Sequence, residues 1–150
     1  MENNNKKIVT RFAPSPTGFL HVGGVRTAIY AWLWAKKNNG DFILRIEDTD
    51  KVREVPGSIE HIIKSLKWIG LDWAQGPDIG GENGPYVQSQ RLDSYRKYAK
   101  VLVDKGLAYA DPYTEEEVEE FRKKSELEKK PFLFRDYRPE NPPAWDGTQP

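Results

Sequence analysis

Two short stretches of this chain carry residue types whose spacing could do chemistry. The first is Arg11 to Gly24, RFAPSPTGFLHVGG. Two prolines stiffen it, a histidine projects near its end, and Gly23 and Gly24 lack the Cβ atoms that would keep a flat ring off the backbone. A nucleotide lying against those glycines would turn its phosphates toward His21 and a helix N-terminus, where backbone N–H groups favour anions. A bare HxGG is also the outline of a glycine-containing turn with an exposed histidine. The second stretch is Arg45 to Asp50, RIEDTD, which crowds Glu47, Asp48 and Asp50 into four positions. Such a group could hold an ammonium ion, coordinate Mg²⁺ or, through Asp48 or Asp50, cap the following helix. Glu47 directly follows a buried-strand pattern, so its carboxylate needs a cationic partner, and a substrate amine would serve.

These stretches need elements to hold them. Lys7 to Phe12 alternates polar and apolar residues before Pro14 and Pro16, which predicts a strand followed by a stiff loop. Between Val22 and Lys37, residues Val25, Ala28, Ile29, Trp32 and Ala35 recur at helical steps, with Lys36, Lys37 and Gly40 as a stop signal. Asp41 to Ile46 reads as a second strand. Strand, helix, strand is the βαβ unit, so the two strands are expected to be parallel. Ligands in such sheets bind beyond the carboxyl ends of the strands, which is where both stretches fall.

Pro56 and Gly57 open a second predicted helix with an apolar face at Ile59, Ile62, Ile63 and Leu66, ending near Gly70. His61, between apolar positions of that helix, reads as a structural histidine rather than a ligand. Residues 75 to 85, rich in glycine and proline, read as a long surface loop. A third helix from about Ser89 uses Leu92, Tyr95, Ala99 and Leu102 and ends at Gly106. Leu107 to Ala110 is β-like. Thr114 and Glu117 have capping-box spacing for a fourth helix to about Leu127, whose acidic run is a solvated face. Beyond Lys130 the chain is proline-rich without a period.

The whole chain has 150 residues, about one domain. Lysine plus arginine, 23, balances aspartate plus glutamate, 23, so no whole-chain polybasic clamp exists, although a local basic patch is compatible. With 37% hydrophobic residues, five Trp, seven Tyr and six Phe, it can fill a core, which argues against disorder throughout. It contains no cysteine, excluding disulfides and thiolate metal sites. No stretch has the length of a signal peptide's apolar region or a membrane span, and the cytoplasm is the expected compartment.

RFAPSPTGFLHVGG, then RIEDTD some twenty residues on, then PYVQSQRLDSYRKYA, together resemble the catalytic domain of class I aminoacyl-tRNA synthetases, most closely the bacterial-type glutamyl branch. The resemblance runs from about residue 7 to 150. It implies a Rossmann-like parallel sheet with flanking helices, and HVGG corresponds to the family's HIGH signature. It further implies ATP binding by Pro14, Thr17, Gly18, His21, Gly23 and Gly24, with His21 catalytic. Arg11, Ala13, Ser15 and Glu47 would bind L-glutamate, with Glu47 on its ammonium group. Asp50 and Arg53 would lie near the acceptor end of tRNA-Glu.

The implied activity is ATP- and Mg²⁺-dependent formation of glutamyl adenylate, then transfer to tRNA. A fork of arginine donors beside a carboxylate has the right signs for glutamate. No KMSKS sequence, the family's second signature, occurs here, nor do the cysteines that bind zinc in some members near the position of Tyr109. The chain is therefore expected to be a truncated N-terminal piece, monomeric, with negligible aminoacylation and weak tRNA contact. Residues 1–6 are expected to be disordered, 7–110 to form the ATP- and glutamate-binding part, and 111–150 to begin an inserted acceptor-binding region. Glutamyl-queuosine tRNA synthetases resemble it less, because they typically lack the loop matching Gly76 to Tyr86. Glutaminyl-tRNA synthetases differ in both signature stretches. A module that binds ATP or glutamate without turning them over is the alternative from another class.

Overall fold

In the computed structural model, which describes residues 7–147, strand β1 (Val9–Phe12) pairs in parallel with β2 (Asp41–Leu44), and helix α1 (Val22–Lys37) connects them. The expected βαβ unit is present. Helices α2 (Ser58–Trp68), α3 (Leu92–Asp104) and α4 (Glu115–Leu127) follow. The disorder expected for residues 1–6 falls outside the described residues. The chain divides into two compact units, one up to Leu92 and one from Asp93 onward. No helix among the described residues is long and apolar enough to cross a membrane.

The first unit is built on the strands. Phe12, Phe42, Leu44 and Ile46 are buried with Ala28 and Ala35 of α1 and with Ile62 and Leu66 of α2. Fully burying an aliphatic side chain contributes about 1.5–3 kcal/mol, so Leu44, Ile46, Ile62 and Leu66, all essentially inaccessible, anchor this core.

The second strand was expected to reach Ile46 as regular structure; β2 ends at Leu44, but its hydrogen bonding continues further. Arg45 donates its N–H to the Phe12 carbonyl at 3.0 Å and Glu47 donates to that of Pro14 at 2.9 Å, while Ile46 turns to the other side and donates to Tyr86 at 2.9 Å.

The stretch 75–85 is a loop without helix or strand, as expected, but it is tied to that opposite edge by isolated bridges. Leu44 donates to Gln75, Ala74 donates to Phe42, and Gly76 and Gly80 exchange hydrogen bonds with each other. Tyr86 is buried, and its hydroxyl donates to Gln75 Oε1. Glycine and proline mark turns correctly but say nothing about bridges to a strand thirty residues earlier.

The end of α1 also differs in detail from its sequence signal. The left-handed position is Asn39 (φ 50°), and Gly40 donates to Ala35 while Asn39 donates to Lys36, the pairing of a Schellman ending. Gly40 is needed for another reason: a Cβ there would collide with the backbone carbonyl of Ile8.

In the second unit α4 has the expected capping box. Thr114 Oγ1 accepts from the Glu117 N–H at 3.2 Å and the Glu117 carboxylate accepts from the Thr114 N–H at 2.8 Å. Phe121 of this helix stacks on Tyr137 with ring centroids 4.3 Å apart and meets Tyr113 edge-on at 5.0 Å. Tyr137 lies in a short 3-10 turn, Phe134–Tyr137, within the segment where the sequence shows no period. Leu107 to Ala110, expected to be β-like, forms no strand: it has β propensity but no bridging partner among the described residues.

Candidate functional site

The parallel register sets the site's chemistry. Arg11 lies opposite Ile43, so its side chain leaves the same face of the sheet as Arg45 and Glu47, which follow Ile43 at steps of two. Leu44 and Ile46 point the other way into the core. On the polar face Glu47 Oε1 accepts from Arg45 Nη2 at 2.8 Å and lies 3.6 Å from Arg11 Nη1. Both arginines approach the same oxygen, and neither hydrogen-bonds Oε2.

The loop from Ala13 to Leu20 is held from below by α2. Pro16 is fully buried, and its carbonyl accepts from the Val55 N–H and from the buried Ser58 hydroxyl, each at 2.9 Å. Further on, His61 Nδ1 accepts from the Leu20 N–H at 3.3 Å, and its ring packs on Phe19 at 4.7 Å. The structural role expected of His61 is therefore specific: it holds the residue that precedes His21. These supports span about forty positions of sequence and carry no local signal.

His21 is the N-cap of α1, its Nδ1 accepting from the Gly23 N–H at 3.1 Å. In the neutral imidazole this leaves Nε2 as the protonated nitrogen, exposed beside the positive end of the helix. A cavity of about 320 Å³ opens here, and its walls include Pro14, Ser15, Thr17, Gly18, His21 and Gly24, with Phe12 and Ile62 beneath. Five of the six residues expected to take ATP thus share one cavity. Gly23 does not line it; its N–H serves the His21 ring. Ser15, expected on the amino-acid side, lines the same cavity, and Ala13 is half-buried between Arg11 and Ser15.

The acidic stretch separates into three environments. Asp48 is buried and accepts from the N–H and hydroxyl of Ser89 and from Lys51 Nζ. Burial alone would raise its pKa, but the Lys51 and Ser89 hydrogen bonds outweigh it and hold the carboxyl down at about 2. Asp50 accepts from Arg53 Nε at 2.6 Å and from its N–H at 3.1 Å, and this pairing lowers its pKa. Neither caps α2, contrary to the sequence expectation. That helix starts at Gly57 in the left-handed region (φ 78°) with no side-chain cap. Asp50 and Arg53, the residues expected near nucleic acid, are brought together, with Arg53 largely exposed.

A parallel βαβ unit whose loop, capped helix N-terminus and polar strand face converge in this way is a Rossmann-like arrangement, with a cavity beyond the carboxyl ends of its strands. Residues 7–141 match the family model described as tRNA synthetases class I (E and Q), catalytic domain. The chain belongs to that family.

It is 51% identical over 124 residues to a glutamate-tRNA ligase of Anaeromyxobacter sp. strain Fw109-5, covering 83% of this chain and 26% of that protein. Against glutamate-tRNA ligase 2 of Fervidobacterium nodosum it is 51% identical over 144 residues, 94% of this chain and 31% of the relative. A crystal structure of a glutamate tRNA ligase from Elizabethkingia meningosepticum, in complex with its amino acid, superposes with a TM-score of 0.79 at 50% identity, over 85% of this chain and 25% of that one. The chain thus spans about a quarter to a third of the length of these relatives.

Proposed function

We propose that the chain forms the ATP- and glutamate-binding part of a glutamate-tRNA ligase. In the reaction, the α-carboxylate of L-glutamate attacks the α-phosphorus of ATP while the bond to pyrophosphate breaks. The terminal ribose hydroxyl of tRNA-Glu then displaces AMP from the acyl carbon. The observation that carries this reading is the Arg11–Glu47 pair, 3.6 Å apart, on the strand face next to the His21 cavity. An arginine fork and a carboxylate side by side match the carboxylate and ammonium groups of an amino acid. His21 Nε2 and the N-terminus of α1 would face the phosphates, and the gap over Gly24 would admit the adenine.

No side chain has to form a covalent intermediate, so positioning and charge stabilisation are what these residues contribute. Mg²⁺ would be held chiefly by the phosphates of ATP and by waters; among the described residues no cluster of three or more His, Asp or Glu is placed to hold a metal ion, and no step is assigned to one. Asp50 and Arg53 would meet the acceptor end of tRNA, and residues 111–150 would begin the acceptor-binding region. The protein would work as a monomer in the cytoplasm. The KMSKS lysine is absent from this sequence, and losing one strong electrostatic contact commonly costs about a hundred- to a thousandfold in rate. The 150 residues alone should therefore not aminoacylate.

Chemical-shift titration of the chain with L-glutamate and, separately, with ATP tests the reading. Glu47→Ala and Arg11→Ala should each abolish the glutamate response and leave the ATP response in place. Glutamate binding unchanged by both substitutions overturns the site, and near full-length pyrophosphate exchange by the chain overturns the expected inactivity.

A further inference from the structure

We propose that Arg45 is a positioning residue for the amino-acid site, holding Glu47 so that Arg11 is left free to take a substrate carboxylate. This rests on the glutamate-binding reading above.

Glu47 has two guanidinium neighbours on one oxygen, and they are not equivalent. Arg45 is the close one, at 2.8 Å with its side chain 21% exposed, whereas Arg11 stands at 3.6 Å with its side chain 45% exposed. The less exposed pair is the less screened and the better ordered, so Glu47 belongs mainly to Arg45. Arg45 also forgoes a contact: its Nε is buried and makes no hydrogen bond among the described residues. Its grip on Glu47 therefore runs through Nη2. Its place is fixed by the Arg45 N–H bond to Phe12 and by the fully buried Leu44 and Ile46 on either side.

The consequence is electrostatic. Arg11, Arg45 and Glu47 together carry a net charge of one positive, which suits a ligand with two carboxylates and one ammonium group. With Arg45 in place, Glu47 Oε1 is satisfied, Oε2 is presented to the ammonium group, and the more exposed Arg11 can swing to a carboxylate. Without Arg45, the nearest cation to Glu47 is Arg11 itself. The two would collapse onto each other, and both grips on the amino acid would be lost together.

A double-mutant cycle read by chemical-shift titration with L-glutamate tests this. Arg45→Gln and Glu47→Gln should each weaken binding roughly tenfold or more, the usual scale for a charge-assisted contact. The double variant should bind no more weakly than Arg45→Gln alone, because removing the Glu47 charge frees Arg11 again. Losses that multiply in the double variant would show two independent roles and overturn the proposal. Arg45→Lys keeps the charge and the stem and decides the matter if the neutral variant does not fold: it should bind within about threefold of the parent, and a loss as large as that of Glu47→Gln overturns the proposal. If Glu47→Gln itself leaves glutamate binding unchanged, the glutamate site falls, and the positioning role with it.

Discussion

Asp48 accepts two hydrogen bonds from Ser89, one from the backbone N–H at 2.8 Å and one from the hydroxyl at 2.6 Å, across 41 positions of sequence. The bond pair ties the end of the acidic stretch to the 3-10 turn Gln88–Arg91 and closes the loop between them. Because the carboxyl is held at about 2 in the folded chain and near 4 in an unfolded one, the folded state favours the ionised form. The stabilisation, about 2 kcal/mol, is complete above pH 4 and is lost as the pH falls toward 2. Urea unfolding of the parent and of Asp48→Asn should differ by roughly that amount at pH 6, by about half of it near pH 3, and converge below about pH 2. A gap that stays constant over this range would mean the ionised form is not what Ser89 and Lys51 recognise.

His61 acts on the same region from α2. Substituting His61→Ala removes the acceptor of the Leu20 N–H and the ring beneath Phe19. The expected cost is about 1 kcal/mol, and the readout is local: amide exchange at Leu20 should accelerate, while the core amides of β2 change only by the global amount. Unchanged protection at Leu20 would mean that the loop keeps its shape without the histidine.

How much of this was legible beforehand follows from the range of each interaction. The helical periods of α1 and α2 and the capping box at Thr114 are local patterns, and the parallel strand pair follows from the order strand, helix, strand; the structure contains them all. Arg11 and Glu47 could be suspected as neighbours because βαβ pairing brings residues just beyond two strands together. The roles of Asp48 and Asp50 could not be separated, since each acid next to a helix start looks like a cap. What divides them is Ser89, forty-one residues away, for one and Arg53, three residues away, for the other. Gln75 and Tyr86 were hidden for a similar reason: their glycine-rich surroundings announce turns, while their bonds to Leu44 and Ile46 depend on a strand far earlier in the chain.

Gly40 offers a test of backbone crowding. A methyl group there meets the Ile8 carbonyl and backbone rather than the end of a flexible side chain. Ile8 accepts the Asp41 N–H at 2.8 Å, so it cannot retreat without breaking the first rung between the strands. Gly40→Ala should therefore destabilise by about 2 kcal/mol or more, against the gain of a few tenths expected where alanine is tolerated. Thermal unfolding measures it, and a Tm equal to the parent's would show that β1 slides freely.

The two glycines after His21 should behave differently, although the sequence presents them as one pair. A Cβ at Gly24 would lie 2.8 Å from Leu20 Cδ1, the end of a flexible side chain, within the wall of the cavity. A Cβ at Gly23 would lie 2.8 Å from His21 Cε1 and 3.1 Å from its Nδ1, against the ring whose nitrogen accepts the Gly23 N–H. Gly23→Ala should thus turn the imidazole away, release that N–H at the first turn of α1 and alter the His21 ring resonances directly. Gly24→Ala should leave those resonances in place and narrow the cavity. If the cavity takes ATP, both variants weaken it, by roughly tenfold, but only Gly23→Ala does so with a changed His21 spectrum. The same His21 spectrum in both variants would mean that the cap, rather than the glycine, fixes the ring.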